Sequence, residues 1–172
     1  MEITFTHTGG LRDWVYVLRD DGTPLRWPWP SYGTALPHDL LHYVVETRLG
    51  LRRGFWGRLA DGGDFAVLSR AWDRIAASAG PDDVDGPDAD PGDLTELVQV
   101  ECVVQAIGAV GAASDAEDCL RAVTERCAQW SVPVPAGLSP AVLGRLQAEL
   151  ADVDRRWRAL AAGHSLVLSY GH

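Results

Sequence analysis

At 172 residues, 47% hydrophobic and 23% charged, the chain has the composition of one ordinary globular domain. Fifteen Lys and Arg against twenty-four Asp and Glu give a formal net charge of -9, which repels phosphate backbones and argues against a nucleic-acid partner. The N-terminal MEITFTHTGG lacks the basic segment and apolar run of a signal peptide. The longest apolar stretch, LVQVECVVQAIGAVGAA, is interrupted by Gln99, Glu101 and Gln105, so no membrane association is expected and the setting reads as cytoplasmic.

The first thirty residues alternate with period two. Ile3, Phe5 and His7 share one side of a strand, and Trp14, Tyr16 and Leu18 share a side of the next. Asp21-Gly22 suits a hairpin turn. LRWPWP follows as a third extended piece, which Pro28 and Pro30 restrict to a sheet edge because each removes a ladder donor.

Helix begins in TALPHDLLHYVVETRLG. Pro37 suits the first helical position, Leu40, Leu41, Val44, Val45 and Leu49 form the apolar side, and Gly50 suits the C-terminal cap. The glycine-rich LRRGFWGRLADGGDF predicts a short helical turn at most, near Phe55 to Ala60, and a further helix is expected from Ala66 to Ala77. Residues 78 to 93 carry six aspartates and three prolines and read as a mobile loop. They lack the glycine and glutamate spacing of an EF-hand, so no calcium site is expected there.

Leu94 to Ala112 is apolar almost all round, as a central buried helix would be. Ser114 and Glu117 predict a capping box for the next helix, which prolines 133 and 135 end. Ser139 and Pro140 open the last helix, expected to run to Gly163. Its Leu143, Leu146, Leu150, Val153, Trp157 and Leu160 form a narrow seam, suited either to a neighbouring helix of the same chain or to a homodimer contact. SLVLSY reads as a final strand. Cys102, Cys119 and Cys127 lie in apolar helical surroundings and imply no disulfide framework. The expected architecture is a single α+β domain over residues 1–172. A small antiparallel β-meander, joined by the C-terminal strand, packs against a body of about four to five helices.

The chemistry concentrates in PHDLLHYVVE. Residues four apart on a helix lie on one face about 6 Å apart along the axis, so His38 and His42 can offer two imidazoles to one divalent ion, zinc suiting such donors best. Glu46 lies about 12 Å along the axis from His38, too far for a ligand that must approach zinc to about 2 Å. The third donor must come from elsewhere. Glu101 is the leading candidate, because a buried carboxylate in so apolar a helix needs a cation, a donor or a proton, although the narrow polar strip it shares with Gln105 and Glu96 can equally face solvent; Glu96 and His164 are the substitutes. Asp39, three residues before His42, is the candidate catalytic-site residue that orients His42. A hydrogen-bonded core histidine on a capped helix and a metal-free acid–base pair are the competing readings.

HDLLH resembles the zincin helix H-E-x-x-H, which implies a zinc-dependent hydrolase. Here aspartate replaces the glutamate that serves zincins as general base, which puts peptidase-type hydrolysis in doubt. Pro37 to Glu46 followed by LGLRRGFWG at 49 to 57 resembles a family of small bacterial proteins with the pattern P-H-D-x-x-H-aromatic-x-V-E, then L-G-L-x-x-G-x-x-G. That resemblance implies that the two segments work as one unit and carries no mechanism. His38-Asp39 is also the dyad of the HD phosphohydrolases, but their upstream helical histidine is missing, since His7 lies in a predicted strand.

Arg48, Arg52, Arg53 and Arg58 near the glycines can hold an anionic ligand or simply match a helix C-terminus. Trp27 and Trp29 can form a stacking platform or edge-strand packing. The leading reading is a cytoplasmic divalent-metal-binding protein, of metal-dependent hydrolase type. The alternative is a non-catalytic accessory protein using the heptad seam and the tryptophan edge.

Overall fold

The computed structural model describes residues 1–30, 36–77, 93–110 and 115–171. Its elements are β1 (Glu2–His7), β2 (Arg12–Leu18), β3 (Pro24–Pro30), α1 (His38–Leu49), α2 (Phe55–Ala60), α3 (Phe65–Ala77), α4 (Thr95–Val110), α5 (Ala116–Gln129), α6 (Pro140–Arg158) and β4 (His164–Ser169). This is the expected α+β fold, with six helices among the described residues. The helical count exceeds expectation because FWGRLA closes as a true helix despite its glycine. The chain gathers into two compact units, Met1–Leu41 with Glu149–His172, and His42–Ala148. The division falls inside α1 and inside α6, each a continuous helix.

In the first unit the four strands form an antiparallel sheet in the order β3-β2-β1-β4. The proline-bearing strand sits on an edge, as read from the sequence, and the C-terminal strand, expected to join the meander, pairs with β1. The β2–β3 turn has Gly22 at φ 84°, the left-handed region that favours glycine, and Thr23 N–H donates to Asp21 Oδ1 at 2.8 Å. Pairing places Leu166, Phe5, Val15 and Trp27 in one row across the sheet, and all four are buried. Trp14, Tyr16 and Leu18 therefore lie on the opposite, more exposed face. Both parities of β2 carry apolar residues, so only pairing with β1 decides which set is covered.

In the second unit α4 is the buried centre: Leu97, Val98, Val100, Cys102, Val103, Val104, Ala106 and Ile107 are all buried. Asp115 caps α5, its side chain accepting from Glu117 N–H; Ser114, the expected cap, lies outside the described residues. The acidic loop of 78 to 93 also lies outside them, except for Asp93.

Helix α6 ends at Arg158, short of the expected Gly163. The glycine (φ 82°) instead turns the chain into β4, and its N–H donates to His7 O at 2.7 Å. Leu143, Leu146, Leu150, Val153 and Trp157 are buried by the chain itself, which makes the seam internal packing. No helix among the described residues is long and apolar enough to cross a membrane.

Candidate metal centre

Helix α1 starts one residue after Pro37, whose carbonyl accepts from Leu40 and Leu41 N–H, and Asp39 places negative charge in the first turn. His38 and His42 then fall one turn apart on one face, His38 half-buried and His42 fully covered. Glu101, from the centre of α4, is buried as well, at 3% exposure. Its Oε2 lies 2.9 Å from His42 Nε2. Ligand atoms of His38, His42 and Glu101 all lie within 4.8 Å of one another. Four ligands around a zinc ion at about 2 Å stand about 3.3 Å apart, so small side-chain adjustments would bring these three groups to within bonding distance of one ion.

The expected trio is thus brought together, and the two substitutes are placed elsewhere. Glu96 accepts from Arg53 N–H at 2.6 Å, and His164 is exposed on β4. Among the described residues, His38, His42 and Glu101 are the group of His, Cys, Asp and Glu side chains with the geometry to hold an ion.

A buried carboxylate costs several kcal/mol unless donors or a cation compensate. Two donors are supplied. Trp72 Nε1 donates to Glu101 Oε2 at 3.1 Å, and Gln105 Nε2 to Oε1 at 2.7 Å. The Trp72 ring also lies against the imidazole of His42, with centroids 3.9 Å apart. Nothing in the sequence marked Trp72 for this place, because a tryptophan on the apolar side of a helix reads as core. Gln105 was visible as the residue one turn after Glu101.

Asp39 is buried, and its Oδ2 accepts from Trp27 Nε1 at 2.7 Å. Trp27 is therefore a core residue with a satisfied indole. Trp29 remains half-buried, its ring stacked parallel to His38 at 6.3 Å. The arginines divide too. Arg53 Nη1 lies 3.4 Å from Asp93 Oδ2, Arg58 donates to the Asp93 carbonyl, and Arg58 Nε donates to Arg53 O at 2.7 Å. Arg53 and Arg58 thus order the start of α4 against α2 within the second unit.

Glu46 has a different task. Its carboxylate is fully buried and accepts from Trp56 N–H at 3.0 Å and Gly57 N–H at 3.1 Å. These are N–H groups of the first turn of α2, whose own N-cap, Gly54, has no side chain to satisfy them. Burial pushes the Glu46 carboxyl up to about 8 against the opposing pull of those N–H groups. A Cβ on Gly54 would overlap that carboxyl, and one on Gly57 would overlap Arg52 O. Gly50, at φ 65°, ends α1, and Leu51 N–H returns to Glu46 O at 3.0 Å. Glu46 of PHDLLHYVVE thus lies against the backbone of Gly54 and Gly57 in LGLRRGFWG.

No family model, no curated protein and no solved structure matches the chain.

Proposed function

We propose that the protein binds one divalent ion, zinc for preference, on His38, His42 and Glu101 and uses it in hydrolytic chemistry. The observation that carries this reading is the convergence of three donor groups from α1 and α4 to within 4.8 Å. Two imidazoles and one carboxylate match the donor set of catalytic zinc sites, in which a fourth position is left for water. A bound ion supplies Lewis acidity and a water that deprotonates near neutral pH. The chain's own contribution is to hold the donors. The buried helices fix His42 and Glu101, and Asp39, anchored on Trp27, is the positioning residue of the first turn of α1. A cytoplasmic setting belongs to the same proposal and is supported by three buried, free cysteines.

A metal-free His42–Glu101 pair is the competing reading, favoured by the 2.9 Å separation itself. Half-buried His38 discriminates, since an ion pair has no need of it. Protein purified without chelators should carry close to one zinc per chain, His38→Ala and His42→Ala should each abolish binding, and zinc should raise hydrolysis of a chromogenic ester or phosphoester. Metal-free protein whose melting temperature does not respond to zinc, manganese or iron would leave only the ion pair.

A further inference from the structure

The two oxygens of Glu101 have unlike surroundings. Oε2 faces His42 Nε2 at 2.9 Å and accepts from Trp72 Nε1. Oε1 accepts from Gln105 Nε2 at 2.7 Å, and Gln105 Oε1 accepts from Arg126 Nη1 at 2.6 Å. The direction of this chain of bonds follows from donor chemistry. A guanidinium can only donate, so the amide must turn its oxygen to Arg126 and its NH₂ to Glu101. Gln105 stands one turn beyond Glu101 on α4, Arg126 belongs to α5, and both are half-buried.

Resting on the metal-binding reading above, we infer that Gln105 and Arg126 are positioning residues that make Glu101 a one-oxygen ligand and bias the centre towards zinc. The amide turns Oε1 away from the imidazole, and Oε2, 2.9 Å from His42 Nε2, is the oxygen placed for the ion, with a second lone pair still accepting from Trp72. A carboxylate so restrained suits a four-coordinate ion with two imidazoles. Ions that take six or more oxygen ligands bind carboxylates through one or both oxygens, and the two-oxygen mode would have to share Oε1 with the Gln105 N–H, which disfavours it. Arg126 acts at a distance, because it fixes which way the amide points. Outer partners of this kind typically contribute about 10- to 100-fold to metal affinity.

The test uses the full chain with zinc, manganese and cobalt(II) as probes, in wild type, Gln105→Leu, Arg126→Met, Arg126→Lys and the Gln105→Leu/Arg126→Met double variant. Gln105→Leu should weaken zinc about 10- to 100-fold, weaken manganese less, and change the visible absorption of bound cobalt(II). Arg126→Met should move all three readouts the same way by a smaller amount, and Arg126→Lys, which keeps a donor, should stay within a few-fold of wild type. The double variant should match Gln105→Leu alone, because Arg126 works through Gln105.

A purely structural role would lower the melting temperature and leave the cobalt spectrum and the zinc-to-manganese ratio in place. Should Gln105→Leu fail to fold, Arg126→Met decides. Wild type that binds zinc, with folded variants binding as wild type, overturns the relay alone. Wild type that binds no metal overturns the metal reading and the relay with it.

Discussion

His42 Nε2 and Glu101 Oε2 stand 2.9 Å apart in the interior, one from the first helix and one from the middle of the fourth. Two polar groups buried together this closely must be held by a proton, a metal ion or a set of donors, and the choice among these sets what each variant does. Glu101→Gln keeps an oxygen acceptor for Trp72 and removes the charge. Its NH₂ would then meet the NH₂ of Gln105, which Arg126 holds in place, so the metal-free protein should melt somewhat lower, while the rise produced by saturating zinc should fall by more than half, as differential scanning fluorimetry would register.

Trp72→Phe separates the two roles of that side chain. The ring against His42 is retained, and the N–H to Glu101 is lost, leaving one oxygen of a buried carboxylate with one donor fewer. Urea denaturation of the metal-free protein should show a loss of about 1–3 kcal/mol, and zinc titration should show weaker binding.

For Glu46 the sign of the pH effect is unusual for a carboxylate. Its folded value of about 8 lies above the ordinary 4.5, so between those limits the folded chain holds a proton that the unfolded chain has released. Stability contributed at this site is full below about pH 4.5, declines as pH rises towards 8 and is level above that. Glu46→Gln cannot titrate, and its denaturation free energy should lack this decline, a difference on the order of a few kcal/mol between pH 5 and 8. Zinc binding should be unaffected, because the carboxyl is committed to Trp56 and Gly57.

Gly57→Ala forces a methyl into the backbone carbonyl of Arg52, which cannot yield cheaply, and should cost more than about 3 kcal/mol or prevent folding. Gly54→Ala meets the side chain of Glu46 instead. Its cost should shrink in the Glu46→Ala background, with a coupling of about 0.5–3 kcal/mol in a double-mutant cycle.

Leu150→Glu places a charge in a seam that the chain covers itself, so it should lower the denaturation midpoint sharply without first producing a folded monomer. Sedimentation velocity with circular dichroism on one sample distinguishes this outcome from dissociation of a folded dimer.

Local rules were enough for the elements whose signals are local. Period-two alternation, Asp21-Gly22, the edge prolines, Gly50 after α1 and the apolar girth of α4 each depend on neighbours within a few residues, and each appears where it was read. The two imidazoles of α1 were legible for the same reason, since the helix repeat alone sets His38 and His42 on one face. Glu101 was legible as an anomaly, a carboxylate among valines, but only folding decided that it is buried rather than facing solvent.

Tertiary structure decided what periodicity leaves degenerate. Strand β2 has apolar residues on both parities, so only its pairing with β1 covers Val15 and Val17 and exposes Tyr16 and Leu18. The α6 seam has one sequence pattern for internal and for intermolecular packing, and the burial of Leu143 to Trp157 within the chain resolves it. Trp72, Trp27 and Arg126 become partners of Glu101, Asp39 and Gln105 only through folding, because an indole N–H or a guanidinium finds its acceptor across elements, where no spacing rule reaches. Glu46 shows the boundary best. Its distance from His38 along the helix follows from the chain, while its burial under the first turn of α2 follows from the path of the loop at Gly54, which no local preference specifies.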